Sequence, residues 1–269
     1  MEKLNRWIAK HPTTCRVSGM IFWICLGVIW LQLGMPMWVF AVLCFLFFIS
    51  LWLVLSTCGA YLLKKPLEIL QKECDPYPFL KEMNEQRTYP GNDTIKQLRE
   101  IDYALALRCV GEYEKAFALL SSINIDKHAG MLPNAKVIYY NNLMDLCALM
   151  GKHQEAVIWY EKTMQIFRDM KPGKPKEQLR KAVESNRAIV HFCKGEYEQA
   201  LQALGQVKVE NLNDRIENAM MYARTYLAMG EAEKAVRPLK FVSENGNKLY
   251  VVTEAKALLE KIQAEESAV

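Results

Sequence analysis

Gly111-Glu112-Tyr113-Glu114-Lys115-Ala116 decides the fold, because it comes back three times: as Gly151-Lys152-His153-Gln154-Glu155-Ala156, as Gly195-Glu196-Tyr197-Glu198-Gln199-Ala200 and as Gly230-Glu231-Ala232-Glu233-Lys234-Ala235. The glycines stand 40, 44 and 35 residues apart, which marks a repeated structural unit. The pattern has a physical meaning. A residue without Cβ ends one helix in the left-handed conformation. The acidic or polar residue after it sits at the positive end of the next helix. The alanine is small because two helices cross there. One turn later, on the same face, comes a large residue: Leu120, Tyr160, Leu204 and Leu239.

Working outward, the segments before the glycines are predicted helices too. Residues 134–150 carry Val137, Tyr140, Leu143, Met144 and Cys147 at helical spacing. Residues 175–194 begin with a proline at a first-turn position. Asp214 is the expected N-cap of a helix running through Met229. Residues 121–133, 169–175 and 243–248 are linkers, and Lys171-Pro172-Gly173-Lys174-Pro175 is the clearest breaker. Cys74-Asp75-Pro76-Tyr77-Pro78 is an expected helix start within a connector over residues 64–91, which adds one or two helices. There is no β-hairpin signal. The fold class is all-α.

A helix, a Gly-x-Tyr-type turn and a second helix carrying the alanine resemble the tetratricopeptide repeat family, over residues 92–262 with a capping helix from Tyr250 in a domain of residues 92–269. The small residue seven before each glycine is present as Ala104, Ala188 and Ala223 but is Met144 in the second copy. The family's frequent closing proline is missing, and the spacings exceed its period of about 34 residues. The resemblance implies an α-solenoid of about four helix pairs, each burying its apolar face against the next. It also implies a concave face, lined by the first helix of each pair, that receives an extended or helical peptide.

Nine residues before each glycine stand Asp102, Asn142, Asn186 and Met221. Asparagine at this place in the family often hydrogen-bonds a peptide backbone, so the resemblance implies Asn142 and Asn186 as the leading peptide-binding candidates, with Asp102 and Met221 at the equivalent places. The other reading is a solvated helix polar or a bond between helices. Arg187 and Arg224, on neighbouring positions, either attract a carboxylate or form surface salt bridges. The lysine–asparagine–asparagine–lysine–arginine clamp of chaperone-tail-binding members is not reproduced, since Ile101 and Leu105 occupy the clamp places of the first copy.

Upstream the chain changes character. Between Arg16 and Lys64 there is no Asp, Glu, Lys, Arg or His. Two apolar runs, about 17–34 and 37–57 with apolar character reaching residue 63, flank Gly34-Met35-Pro36-Met37, which has turn chemistry. A bilayer core of about 30 Å needs about 20 helical residues, and both runs meet that, the first narrowly. Backbone groups in hydrocarbon must pair within the segment, so helix is the expected state. Trp38 stands at an end of its run, where interfacial anchors do. Residues 17–63 are therefore expected to be a two-helix transmembrane hairpin in the lipid bilayer.

Lys3, Arg6, Lys10 and Arg16 set against Glu2 carry +3 of the net charge of +4, and Lys64-Lys65 follow the second run. Positive flanks favour the cytoplasmic side, so the basic N-terminus (residues 1–16) and the repeat domain are both expected there, on an integral membrane protein. A cleaved signal peptide is a rival, but the apolar stretch is too long and no A-x-A site follows it. A single spanning helix is the second rival and would put the repeat domain outside.

The eight cysteines include no CxxC and no partner histidine at zinc spacing, and they read as free thiols in a reducing compartment. The histidines, His11, His128, His153 and His191, form no metal motif, and Tyr139-Tyr140 and Tyr222 with Tyr226 read as core. The sequence nominates no catalytic residue, metal site or cofactor, and its charge distribution lacks a basic field for nucleic acid. Two functions follow as expectations. The first is a non-enzymatic membrane scaffold for a protein or peptide partner. The second is an oligomerising accessory subunit of a membrane enzyme or transporter complex, with a homo-oligomer as its form.

Overall fold

The computed structural model describes residues 2–34, 36–127 and 132–267; Met35 of the expected turn and His128 in the 121–133 linker lie outside the described residues. Every regular element among the described residues is helical. The chain runs through α1 (Glu2–Lys10), α2 (Pro12–Gln32), α3 (Met37–Glu73) and α4 (Tyr77–Gln86). Four successive pairs follow: α5 (Asp93–Cys109) with α6 (Tyr113–Ser121), α7 (Pro133–Leu149) with α8 (His153–Asp169), α9 (Lys174–Cys193) with α10 (Tyr197–Gln206), and α11 (Leu212–Ala228) with α12 (Ala232–Asn245). The last helix is α13 (Tyr250–Ser267).

The recurring hexapeptide builds the turn inside each pair. Gly111, Gly151, Gly195 and Gly230 have φ of 83°, 73°, 75° and 76°. The amide of the residue after each glycine reaches back to a carbonyl five residues earlier: Glu112 to Leu107 at 3.0 Å, Lys152 to Cys147 at 2.8 Å, Glu196 to His191 at 2.9 Å and Glu231 to Tyr226 at 2.9 Å. With the glycine amide bonding to the carbonyl three residues back, as Gly111 does to Arg108 at 3.1 Å, this is the Schellman ending of a helix. Ala116, Ala156, Ala200 and Ala235 are fully buried where the paired helices meet. Ala104, Ala188 and Ala223 are buried in the opposing helices, and Met144 takes that place in the second pair by extending into a cluster with Cys147, Ala156 and Val190 of α9. Leu120, Leu204 and Leu239 are buried one turn after the alanine, while Tyr160 is half-buried.

Two helix starts carry a side-chain cap of the expected type. Asn92 Oδ1 accepts from the Ile95 amide at 2.9 Å and caps α5. The cap of α11 is Asn211, not Asp214: Asn211 Oδ1 accepts from the Asp214 amide at 2.9 Å, which puts Asp214 in the first turn near the positive helix end. The 243–248 linker is shorter than expected, because α12 continues through Asn245.

Helices α2 and α3 are both long and apolar enough to cross a bilayer, and none of their apolar windows is buried by the rest of the protein. They lie antiparallel. Gly19 faces Phe47 and Leu51, Trp23 meets Phe47 at 5.5 Å, Gly27 faces Phe40, and Trp30 meets Phe40 at 5.7 Å, so partner numbers fall as those of α2 rise. The two glycines let the Phe40 and Phe47 rings approach the α2 backbone.

The second apolar helix does not stop at Lys64. At 37 residues, α3 is about 55 Å long, well beyond a bilayer core of about 30 Å. It passes through Lys64-Lys65 and Pro66 and ends at Cys74, whose φ of 54° is left-handed. Pro66 removes the N–H that would bond the Leu62 carbonyl. Tertiary packing offsets this loss, because Leu62, Leu70 and Cys74 are buried and Leu63 and Leu67 pack on the same core. The connector over residues 64–91 is thus the last part of α3 plus α4. The basic N-terminus is also a helix, α1, packed against α3.

The buried core closes the molecule on itself. One cluster joins the end of α3, α4 and α5 to α11, α12 and α13 through Leu70, Phe79, Met83, Ala106, Ile216 and Leu239. The Lys248 amide bonds the Cys74 carbonyl at 3.2 Å, Asn247 Nδ2 bonds the Glu73 carbonyl at 2.7 Å, and Lys248 Nζ lies 2.6 Å from Asp75. The first and last helix pairs are therefore neighbours. A second cluster fills the space between α5, α6 and α7.

Candidate functional site

The closure leaves a cavity of about 290 Å³ walled by α5, α7, α9 and α11, with the end of α10 and the start of α13 at its edges. Each wall helix contributes residues one turn apart. From α5 come Leu105 and Arg108, from α7 Asn142 and Asp145, from α9 Ala182, Ser185, Asn186 and Ile189, and from α11 Glu217, Asn218, Met221 and Arg224.

Arg108 holds three helices together. Its Nη1 lies 2.7 Å from Asp145 on α7 and its Nη2 2.8 Å from Glu217 on α11. Burial works against its charge, but the two carboxylates outweigh that and keep the guanidinium firmly protonated. Arg224 forms a two-point bond with Glu254 of α13, Nε to Oε1 at 2.9 Å and Nη2 to Oε2 at 2.6 Å. Two guanidinium groups, Arg108 and Arg224, face three carboxylates in the lining, Asp145, Asp214 and Glu217, so the wall is balanced toward negative.

The amide side chains divide into paired and unpaired. Asn186, 6% exposed, donates from Nδ2 to Asn141 Oδ1 and ties α9 to α7. Asn142 Nδ2, Asn218 Oδ1 and Arg108 Nε are buried and have no hydrogen-bond partner. A buried polar atom left unpaired costs about 1–3 kcal/mol. These atoms are enclosed by neighbouring protein, but their residues line the cavity, and side-chain rotation would offer it an amide donor, an amide acceptor and a guanidinium N–H suited to a chain of alternating carbonyls and amides. Burial pushes the Cys109 thiol up to about 11 and the Tyr113 phenol up to about 12, so both wall groups are neutral near pH 7. Among the described residues no group of three or more His, Cys, Asp or Glu side chains is placed to hold a metal ion.

Asn142, Asn186, Met221 and Arg224 thus come together in the cavity. Asp102 does not line it; its side chain opens to solvent, although surrounding protein desolvates it enough to push its pKa up to about 6. Arg187 lies on a different surface, with Glu177, Arg180 and Glu184. Arg224 is committed to Glu254, so the salt-bridge reading of that arginine describes its surroundings. Sequence reasoning passed over Arg108, Asn218, Asp145 and Glu217. Their signal was present: each stands three or four residues from a cavity position on its own helix, and so on the same helical face. No family model, curated protein or solved structure matches the chain.

Proposed function

We propose that the chain is a membrane-anchored scaffold of tetratricopeptide-like helix pairs whose cavity holds a segment of a partner protein. Helices α2 and α3 form its hairpin anchor, and the basic flanks put the helical domain on the cytoplasmic side. The reading is carried by the unpartnered Asn142 Nδ2 and Asn218 Oδ1 on facing helices of the cavity. With the two side chains rotated toward the cavity, a peptide backbone offers a carbonyl to the first and an amide to the second. The charge of the wall refines the partner. With both arginines held by carboxylates, the segment is neutral or basic rather than a carboxylate-rich tail. Membrane attachment raises the local concentration of such a partner at the surface.

The test is photo-crosslinking of the intact protein in its membrane, comparing wild type with Asn142→Ala combined with Asn218→Ala. Partner recovery falls at least several-fold while the unfolding midpoint is unchanged or raised, because the removed atoms have no partner in the unliganded protein. Unchanged recovery from the folded double variant removes the cavity from the reading.

A further inference from the structure

We propose that α1 lies in the plane of the membrane surface, with Leu4 and Trp7 seated at the boundary between headgroups and acyl chains. The inference rests on the reading of α2 and α3 as a spanning hairpin, and two independent features carry it.

The first is level. The antiparallel register that sets Gly19 against Phe47 and Leu51 brings Pro12, at the start of α2, opposite the Cys58 region of α3. Asn5, seven residues earlier, meets the same place: the Cys58 thiol donates to Asn5 Oδ1 at 3.7 Å. If α1 prolonged α2, Asn5 would stand about 10 Å farther along α3. It does not, so α1 leaves the line of α2 and meets α3 at this level. The meeting point falls between Thr57, where the second apolar run ends, and Lys64, the first charge after it. That is the depth of an interface.

The second is facing. Glu2, Arg6 and Lys10 form one stripe of α1, which turns toward α4: Arg6 bonds Glu82 at 3.0 Å and also Glu85, and Lys10 lies 2.8 Å from Glu85. At about 100° per residue, Leu4, Ile8 and His11 fall on the opposite stripe and Trp7 at its edge. Leu4 is 60% and Trp7 49% exposed, with the Trp7 ring resting against His11 of the following turn. Helix α4 folds back along α3 until Gln86 Nε2 donates to the Gly59 carbonyl at 3.3 Å, so Glu82 and Glu85, which come before Gln86, stand toward the aqueous end of α3 from the Cys58 level. The apolar stripe of α1 therefore looks back toward the bilayer, while the exposed Lys3 beside it is placed for lipid phosphates.

The test places a photo-reactive side chain in the full-length protein, reconstituted in vesicles of phosphatidylcholine and phosphatidylglycerol. Three single variants are compared, Leu4→p-benzoylphenylalanine, Val28→p-benzoylphenylalanine and Lys72→p-benzoylphenylalanine, all at exposed positions. Mass spectrometry after irradiation reads the lipid adducts. Adducts at positions 4 and 28 several-fold above position 72 support the inference. Adducts at 28 with position 4 no higher than 72 overturn it while leaving the hairpin standing. Failure at 28 overturns the hairpin and this inference with it. Capture of a protein chain rather than lipid at position 4 also overturns it.

Discussion

Arg108 and Asp126 show how single side chains in this protein act at the joints between helices. Arg108 links α5, α7 and α11 at one point, and Arg108→Met strands Asp145 and Glu217 without their shared cation. We expect a loss of roughly 3 kcal/mol, as when a buried ion pair loses one partner, read in chemical denaturation. Asp126 lies in the linker after α6 and accepts from Tyr140 at 2.8 Å, Lys136 at 3.1 Å and Lys162 at 3.2 Å. The Tyr140 hydroxyl first, then the two ammonium groups, hold its carboxyl down at about 2, below the ordinary 3.8. A lowered carboxyl stabilises fully above its unfolded value and loses that contribution as pH falls toward 2. Asp126→Asn should flatten the decline of the unfolding midpoint between pH 4 and 2, and cost about 1 kcal/mol at pH 7 given its solvent exposure. An unchanged acid slope would show that Asp126 does not anchor the linker. Asn142 and Asn218 were not separable from Asn186 by sequence: all are amides on first helices, and only packing decides that Asn186 finds Asn141 while the other two keep open atoms.

At the scale of elements, the repeated turn is a local device and was legible for that reason. A glycine at positive φ, a polar opening residue and a crossing alanine each follow from neighbours in sequence. What the four glycines do not share is surroundings. A Cβ on Gly151 meets nothing within 4 Å, whereas on Gly111 it would stand 2.3 Å from the Tyr250 ring of α13. Gly151→Ala should cost about 1–2 kcal/mol for the left-handed backbone alone. Gly111→Ala should cost clearly more, and Tyr250→Ala should recover part of the difference, as read in thermal unfolding of the single and double variants. Equal losses at both glycines would deny that α13 docks on the first turn. The length of α3 was not legible, because Lys64-Lys65-Pro66 has the local signature of a helix end. The helix continues because Leu67 and Leu70 are needed by a core assembled largely from residues more than a hundred positions away. Helix α1 was read only as part of a basic N-terminus, since nine residues carry too short a pattern to weigh without knowing what they pack on.

For the whole molecule, the consequence is mechanical continuity. One helix begins in the apolar hairpin and ends inside the core that joins the first and last pairs, clasped there by Asn247 and Lys248. Arg6 and Lys10 tie the other end of the hairpin to α4. Contacts between positions so distant leave no trace in a sequence pattern, which is why a concave face was expected but not the meeting of the first and last pairs beside it. If the hairpin spans a membrane as proposed, the same contacts require that residues before α2 and after α3 lie on one side of it. The direct test is accessibility in sealed, oriented vesicles, with one reporter tag ahead of Glu2, one after Ser267 and one beside Gly34 at the hairpin turn. The account predicts that the two terminal tags are modified or protected together and the Gly34 tag behaves oppositely. Terminal tags on opposite sides of the bilayer would contradict it.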